Sequence, residues 1–398
     1  MKKGYILNLG AGENQVPFLE ACDKFGYPVI SIDKNESSPG FHLSKIKVIE
    51  SIHEYRKIYN SLLKILLDAP IVGVGCRSYG KAVISASYLA EKFEVPGNSN
   101  SIIKKFYNKA LLKKFLSENG ISIPPQFLLE EITSANPGSI EFPLIAKPIN
   151  SEAKKGIELI PNEKILSQFI RRQKSKYYFE EFIDGPEFTV LGFVQNNQFQ
   201  LVSVTDKYTT SYPPFLEIAH VIPTSYPEFI GEIILYCKRI AQVTGLENGP
   251  MVAEFKANKL GQLFLIEVMP EIGGEYLAEK LLNSYSGYNY FEDYLKLILG
   301  EKIQLFDRNK KRKFKSVIQF IVPEEGKNIF KGFQNRGDYE RSIKIYFDKI
   351  LKKENEYVDP SFGNSSRVRV VGYTIKNEFW DKNKLPALPW EGIFEKQS

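Results

Sequence analysis

Histidine, cysteine and methionine each occur only three times in 398 residues. His42, His53 and His220 form no cluster, and Cys22, Cys76 and Cys237 have no paired spacing. Zinc motifs and a disulfide framework are thereby excluded, and the chain fits a reducing, cytoplasmic setting. No apolar run is long enough to cross a bilayer. The opening Met1–Gly10 is too short an apolar run for a secretory leader and reads as a first β-strand. Charge of one sign is also lacking: the formal net charge is only +6, with 25% charged and 43% hydrophobic residues. That balance permits anionic small molecules and gives no reason to expect nucleic acid or membrane as a partner. The densest basic stretch, Arg308–Lys315, reads as a solvated linker. Internal repeats and low-complexity tracts are absent.

What is present is a chain of ordinary globular composition, long enough for two or three domains. Residues 1–96 alternate strand and helix: Tyr5–Leu9, a turn at Gly10-Ala-Gly12, a helix over 14–25, strands over 28–32 and 71–75, and a helix over 81–93. This is a parallel βα pattern of Rossmann-like type. The third glycine of a dinucleotide fingerprint is missing, Gln15 standing there, which argues against NAD. A second unit, 97–305, opens with a helix capped by Ser101 and running to Asn119. It continues through strands at 142–148, 177–183, 187–194 and 199–205, and helices at 227–244, about 275–282 and about 290–299. A third, 306–398, holds alternating runs at 315–322 and 366–375.

Two glutamates stand out in the middle. Glu254 and Glu267 lie in successive apolar, β-rich runs. Val252, Glu254 and Lys256 share one strand face by period; Leu263, Leu265 and Glu267 share another. A two-residue turn at Leu260-Gly261 sets Glu254 directly opposite Glu267. Adjacent carboxylates repel unless a cation lies between them, and oxygen donors alone favour Mg²⁺ held together with phosphates.

In order and kind these motifs resemble the ATP-grasp superfamily, in particular carboxylate–amine ligases of the D-alanine–D-alanine ligase and L-amino acid ligase type. The resemblance covers about residues 1–305 and is looser beyond. It implies an α/β and α+β architecture: a Rossmann-like domain over 1–96, a two-lobed ATP-grasp domain over 97–305 and a small closing domain over 306–398. Lys109 and Lys147 match the family's phosphate lysines. The loop Asn150–Gly156, with Lys154, Lys155 and Gly156, occupies the place of the glycine-rich phosphate loop. Phe179–Val190 resembles the adenine hinge, with the backbone around Glu180, Glu181, Phe182 and Ile183 toward the base and Glu187 accepting from the ribose. Lys207 matches a basic residue aimed at the transferred phosphoryl, and His220 a substrate-side polar position. Glu254 and Glu267 match the metal glutamates. Arg77 and Ser78, after strand 71–75, are candidates for substrate contact.

The chain departs from the family at Glu267-Val-Met-Pro-Glu-Ile-Gly-Gly274. Met269 replaces a metal-binding asparagine, and Glu271 replaces an arginine. Either Glu254 and Glu267 hold the metal with water, or catalysis is impaired. Glu271 would repel a carboxylate and is expected to meet an amine or to orient Lys207. The resemblance implies ATP and Mg²⁺ as cofactors. Its substrates would be a small carboxylate and an amine, joined through an acyl phosphate, and a homodimer is admitted. Two alternatives stay open: a nucleotide-binding regulator or partner subunit without turnover, and an acyl-phosphate-dependent carboxylase.

Overall fold

The computed structural model describes residues 4–65, 67–134, 140–149, 156–172, 177–211, 213–307, 310 and 312–397. The N-terminal unit is a parallel sheet of β1 (Tyr5–Leu9), β2 (Val29–Ile32), β3 (Ile46–Val48) and β4 (Ile71–Cys76), in the order β3-β2-β1-β4. Helices α1 (Val16–Lys24), α2 (Tyr55–Leu62) and α3 (Lys81–Lys92) connect it. β1 is buried at every position, which explains its unbroken apolar reading. Gly75 in β4 is required by packing: a Cβ there would lie 2.3 Å from the Phe18 ring. Phe18 in turn packs on Tyr294, centroids 5.0 Å apart, and the Tyr294 hydroxyl accepts from the Cys76 N–H at 2.9 Å. Tyr294 belongs to a helix more than 200 residues later, so the N-terminal unit is packed firmly against the rest of the fold.

The helix expected over 101–119 is two helices, α4 (Asn100–Phe106) and α5 (Lys109–Glu118). Asn108 causes the break. Its side chain accepts from the Leu111 N–H at 3.2 Å, a capping bond that competes with continuing the helix. Lys109 is thereby placed at the first position of α5. Replacing Asn108 by Ala should cost about 1 kcal/mol of stability, read as a lower melting midpoint.

A small antiparallel sheet follows: β5 (Gln126–Leu128), β6 (Leu144–Pro148), β7 (Glu158–Ile160) and β8 (Tyr177–Glu181), ordered β5-β8-β6-β7. With α6 (Leu129–Ser134) and α7 (Glu163–Arg172) it forms a lobe around Leu144, Ala146, Ile160, Phe169 and Phe179. The main sheet has eight antiparallel strands. Its first five are β9 (Glu187–Gln195), β10 (Gln198–Thr209), β11 (Glu217–Ile222), β12 (Asn248–Ala257) and β13 (Leu263–Met269). Next in the chain come β14 (Phe314–Ile321), β15 (Asn328–Asn335), β16 (Lys344–Ile350), β17 (Tyr357–Val358), β18 (Arg369–Lys376) and β19 (Trp390–Lys396). The main sheet runs β13-β12-β9-β10-β11-β14-β18-β16, so the C-terminal strands extend it, while β17-β15-β19 form a separate small sheet. Helix α8 (Ile230–Thr244) contributes Ile233, Cys237 and Ile240 to the core shared with β12.

The helix expected over 275–282 is also corrected. Glu275 and Tyr276 have positive φ (62° and 60°), a π-helical turn spans Leu277–Leu281, and α9 (Leu282–Ser286) completes it. A helix cannot begin through left-handed residues, and wide or strained turns of this kind concentrate at functional sites. α10 (Tyr290–Ile298) then carries Tyr294 under the N-terminal sheet.

Candidate functional site

The site lies on the half-exposed face of β12, whose burial alternates residue by residue with Val252, Glu254 and Lys256 on the open side. Glu254 does pair directly with Glu267. The route to that pairing differs from the expected one. The connection is a five-residue loop, Asn258–Gln262, closed by the Asn258 N–H on the Gln262 carbonyl at 2.9 Å. A bulge between Glu254 and Phe255 then shifts the register by one. Leu263 and Leu265 therefore face the core opposite Ala257 and Phe255, and only Glu267 turns to the cleft.

Each glutamate has a lysine against it. Lys109 Nζ is 2.7 Å from Glu267, and Lys207 Nζ is 2.8 Å from Glu254. Burial works against ionisation of Glu267, but Lys109, with Lys147 and Lys113 behind it, holds its carboxyl below the usual range. Lys207 is a hub. Its side chain has no exposed surface, and its ammonium lies 2.8 Å from Glu187, 2.9 Å from Glu217 and 2.8 Å from Glu254. Burial would discharge it, yet the three carboxylates raise its pKa well above the ordinary lysine value. It therefore stays a fixed cation below the sheet surface.

In the small lobe, Lys147 at the end of β6 reaches Glu180 of β8, and so does Lys113 of α5. Glu180 is thus a buried counter-ion by its side chain, beyond the backbone role expected of it. Burial would raise its pKa, but the two lysines hold it at about 2. Burial pulls Lys113 down to about 8 despite the adjacent carboxylate. Lys113 went unnoticed among neighbouring lysines because its partner is 67 residues away. Along the hinge, Glu181 and Phe182 donate their N–H groups to the Pro125 and Pro143 carbonyls, both at 3.0 Å. Burial, reinforced by Glu141, raises the Glu181 pKa. Phe182 stacks on Phe215 at 5.7 Å and lies 4.9 Å beneath the Lys256 ammonium, and Ile183 is buried. Gly185 is needed next, since a Cβ would lie 2.1 Å from the Ala257 carbonyl oxygen. Glu187 opens β9 and spans Lys207 and Lys256, the latter at 3.8 Å. Gly156 is exposed with φ 74°, while Lys154 and Lys155 lie outside the described residues.

His220 pairs across the sheet with Lys207. It is buried, with Nδ1 3.5 Å from Thr205 Oγ1 and Nε2 3.8 Å from Glu217. Glu217, Glu275, Asn364 and Arg367 were not foreseen as site residues. Arg367, just before β18, donates to Glu217 at 3.1 Å and pairs with Glu275, its guanidinium 3.9 Å above the Phe320 ring. Asn364 donates to both glutamates at 3.2 Å. The C-terminal part thus supplies a buried cation beside the Lys207 hub.

Two expected residues have partners of their own. Arg77 is held by Glu279, its Nε donating at 2.9 Å, with both side chains under 10% exposed. Glu271 does not orient Lys207, whose ammonium is shared by other carboxylates. It instead accepts long bonds from the Gly80 N–H at 3.4 Å and the Tyr107 hydroxyl at 3.5 Å. Burial is the main reason its pKa rises to about 7, with Glu267 adding and Gly80, Lys109 and Tyr107 opposing. Met269 is buried opposite Val252. A shallow hollow of about 530 Å³ lined by Asp68, Pro70 and Phe93 lies on the N-terminal unit and holds none of these groups.

A small lobe carrying Lys147 and a hinge thus faces a main sheet that carries the opposed pair Glu254 and Glu267. Residues 140–279, the segment that holds Lys147, Glu187, Lys207, Glu254 and Glu267, match the ATP-grasp domain model. Among solved structures the chain is similar to phosphoribosylglycinamide synthetase from Anaerococcus prevotii, at 18% identity, 96% coverage of each chain and a TM-score of 0.70. It is also similar to L-amino acid ligase from Bacillus licheniformis, at 18% identity, 95% and 94% coverage and a TM-score of 0.73. A third is the biotin carboxylase domain of 2-oxoglutarate carboxylase from Hydrogenobacter thermophilus, solved with MgADP, ADP and bicarbonate, at 15% identity, 94% and 86% coverage and a TM-score of 0.67. At these identities the likeness is one of fold. No curated protein matches the sequence significantly. Among the described residues, no helix is long and apolar enough to cross a membrane.

Proposed function

We propose that the chain is an ATP-dependent ligase that joins a small carboxylate to an amine. The observation that carries this reading is the directly opposed pair Glu254 and Glu267, with Lys109 and Lys207 against it on the face of an ATP-grasp sheet. Among the described residues no three His, Cys, Asp or Glu side chains form a metal-holding group. A two-carboxylate donor set is poor for zinc and suits Mg²⁺, which keeps waters and takes the rest of its shell from phosphates. Glu254 and Glu267 would hold that ion, which when bound neutralises phosphate charge during transfer.

Lys147 and Lys109 would turn from their glutamates toward phosphate oxygens. Hinge residues Glu180–Ile183 would receive the adenine and Glu187 the ribose hydroxyls, since a carboxylate is an acceptor only. Lys207, already fixed and charged, needs no reorganisation to stabilise negative charge in the transition state, which is where positioned charge is most effective. In the reaction, a substrate carboxylate oxygen takes the γ-phosphoryl as the bond to ADP breaks. The amine nitrogen then bonds to the acyl carbon, phosphate leaves with the C–O bond, and the amine's protons pass to phosphate and solvent.

The test is ADP release screened over amino acids, small acids and amino sugars. Release that requires both an acid and an amine supports ligation. Nucleotide binding with no turnover in any combination would leave the binder reading, and bicarbonate as the only effective acid would favour a carboxylase. Glu187→Ala should weaken ATP binding by about 1.5–3 kcal/mol, the range for hydrogen bonds to a charged group. Unchanged affinity by calorimetry would displace the hinge from this segment.

A further inference from the structure

Eight glutamates border the cleft or its walls: Glu180, Glu187, Glu217, Glu254, Glu267, Glu271, Glu275 and Glu279. Seven have a lysine or arginine within 4 Å. Among the described residues Glu271 alone has none, although it is partly buried and lies four residues beyond the metal-side Glu267. Among the described residues its acceptor oxygen meets two long contacts, from a backbone N–H and a tyrosine hydroxyl. A partly buried carboxylate without a cation is unfavourable unless a ligand completes it or it takes a proton. The nearby cation, Lys109, is already engaged with Glu267.

Position adds to this. Gly80 starts α3 immediately after the β4–α3 loop, at the carboxyl end of a parallel sheet, where α/β units receive small ligands. Tyr107 closes the other side from the break between α4 and α5. The wall formed by Glu271, Gly80 and Tyr107 therefore looks from the metal-side strand toward the N-terminal unit. A carboxylate ligand is repelled there.

We propose that Glu271 receives the protonated nitrogen of the amine substrate, which makes it the residue that selects a cationic amine over a neutral or anionic partner. This rests on the ligase reading above and names the class of its second substrate: a primary amine that is an ammonium in solution. Among the described residues the groups facing the carboxyl are Glu267, Lys109, Tyr107 and the buried Cys76, and none of these is a free cation. An arriving ammonium supplies the missing charge. The competing role is purely structural, with Glu271 capping α3 through the Gly80 N–H.

The experiment uses the full chain and a panel of primary amines (amino acids, amino sugars and a diamine), each paired with its neutral hydroxyl analogue. Direct binding is measured by ligand-observed NMR. At least one amine should bind the parent, its hydroxyl analogue should not, and Glu271→Gln should lose at least tenfold in amine affinity with ATP affinity unchanged. Glu271→Asp should recover part of that loss. Gln keeps an acceptor for the Gly80 N–H, so a structural cap predicts parent-like amine affinity in that variant. Equal amine affinity in parent and Glu271→Gln, or no binding by any amine, overturns the proposal. ADP release is followed in parallel: amine binding without amine-dependent release would overturn the ligase reading while leaving the amine site standing.

Discussion

Glu254→Gln and Glu267→Gln should each lower kcat for ADP formation by about three orders of magnitude or more, the scale for removing charge stabilisation from phosphoryl transfer. Both side chains reach the cleft from a paired strand face, so the amide should fit without repacking. The two variants should part company in nucleotide binding without metal. In the parent, Lys109 is held by Glu267 at 2.7 Å and Lys207 is shared by three glutamates. The cationic and anionic halves of the site neutralise one another. Nucleotide and metal arriving together would let both halves exchange partners at once, whereas either alone would strand one of them. Removing the Glu267 charge frees Lys109, so metal-free ATP should bind Glu267→Gln more tightly than the parent while the gain from added Mg²⁺ shrinks. Calorimetry with and without Mg²⁺ reads this directly. Full turnover surviving in either variant would remove the pair from the metal site.

That pair was legible in the sequence because a strand's side-chain period is two and both glutamates interrupt apolar runs. The pairing came out correctly even though the assumed turn did not. The loop is longer and a bulge restores the offset, and bulges leave little trace in composition. Lys147 was legible for a related reason, since a lysine ending an apolar strand needs a partner. That Glu180 is this partner, and that Lys113 shares it, depends on β6, β8 and α5 converging, which no local pattern encodes. Arg367 was missed for the same cause: it lies some 150 residues from Glu217 and enters the site only because β14 and β18 continue the main sheet. The break at Asn108 was overlooked because the apolar spacing of α4 and α5 runs on through it. Its signal was the capping residue itself.

Lys207→Met should destabilise the fold by about 3–5 kcal/mol at neutral pH, the range for removing one partner from a buried ionic cluster. Met matches the length and fills the space, so the loss reports charge and not a cavity. Its pH dependence separates the two. In the parent, the folded pKa of Lys207 lies above its unfolded value. Its contribution is therefore complete below the unfolded pKa of about 10.4 and constant across pH 5–8. In the variant, Glu187, Glu217 and Glu254 lose their shared cation while remaining desolvated, although Lys256 and Arg367 stay beside the first two. Their folded pKa values then move above the unfolded carboxylate value of about 4.3. An acid with a raised folded pKa is penalised above that unfolded value, and the penalty is relieved as protonation sets in at lower pH. The gap in melting midpoint between parent and variant should accordingly narrow as pH falls from 8 to 5. A gap that stays constant would mean that the methionine merely packs badly and that the three carboxylates do not depend on Lys207 for their charge. The same variant should bind nucleotide poorly at pH 8 and better at pH 5, since the carboxylates that lost Lys207 repel the phosphates and their protonation removes that repulsion.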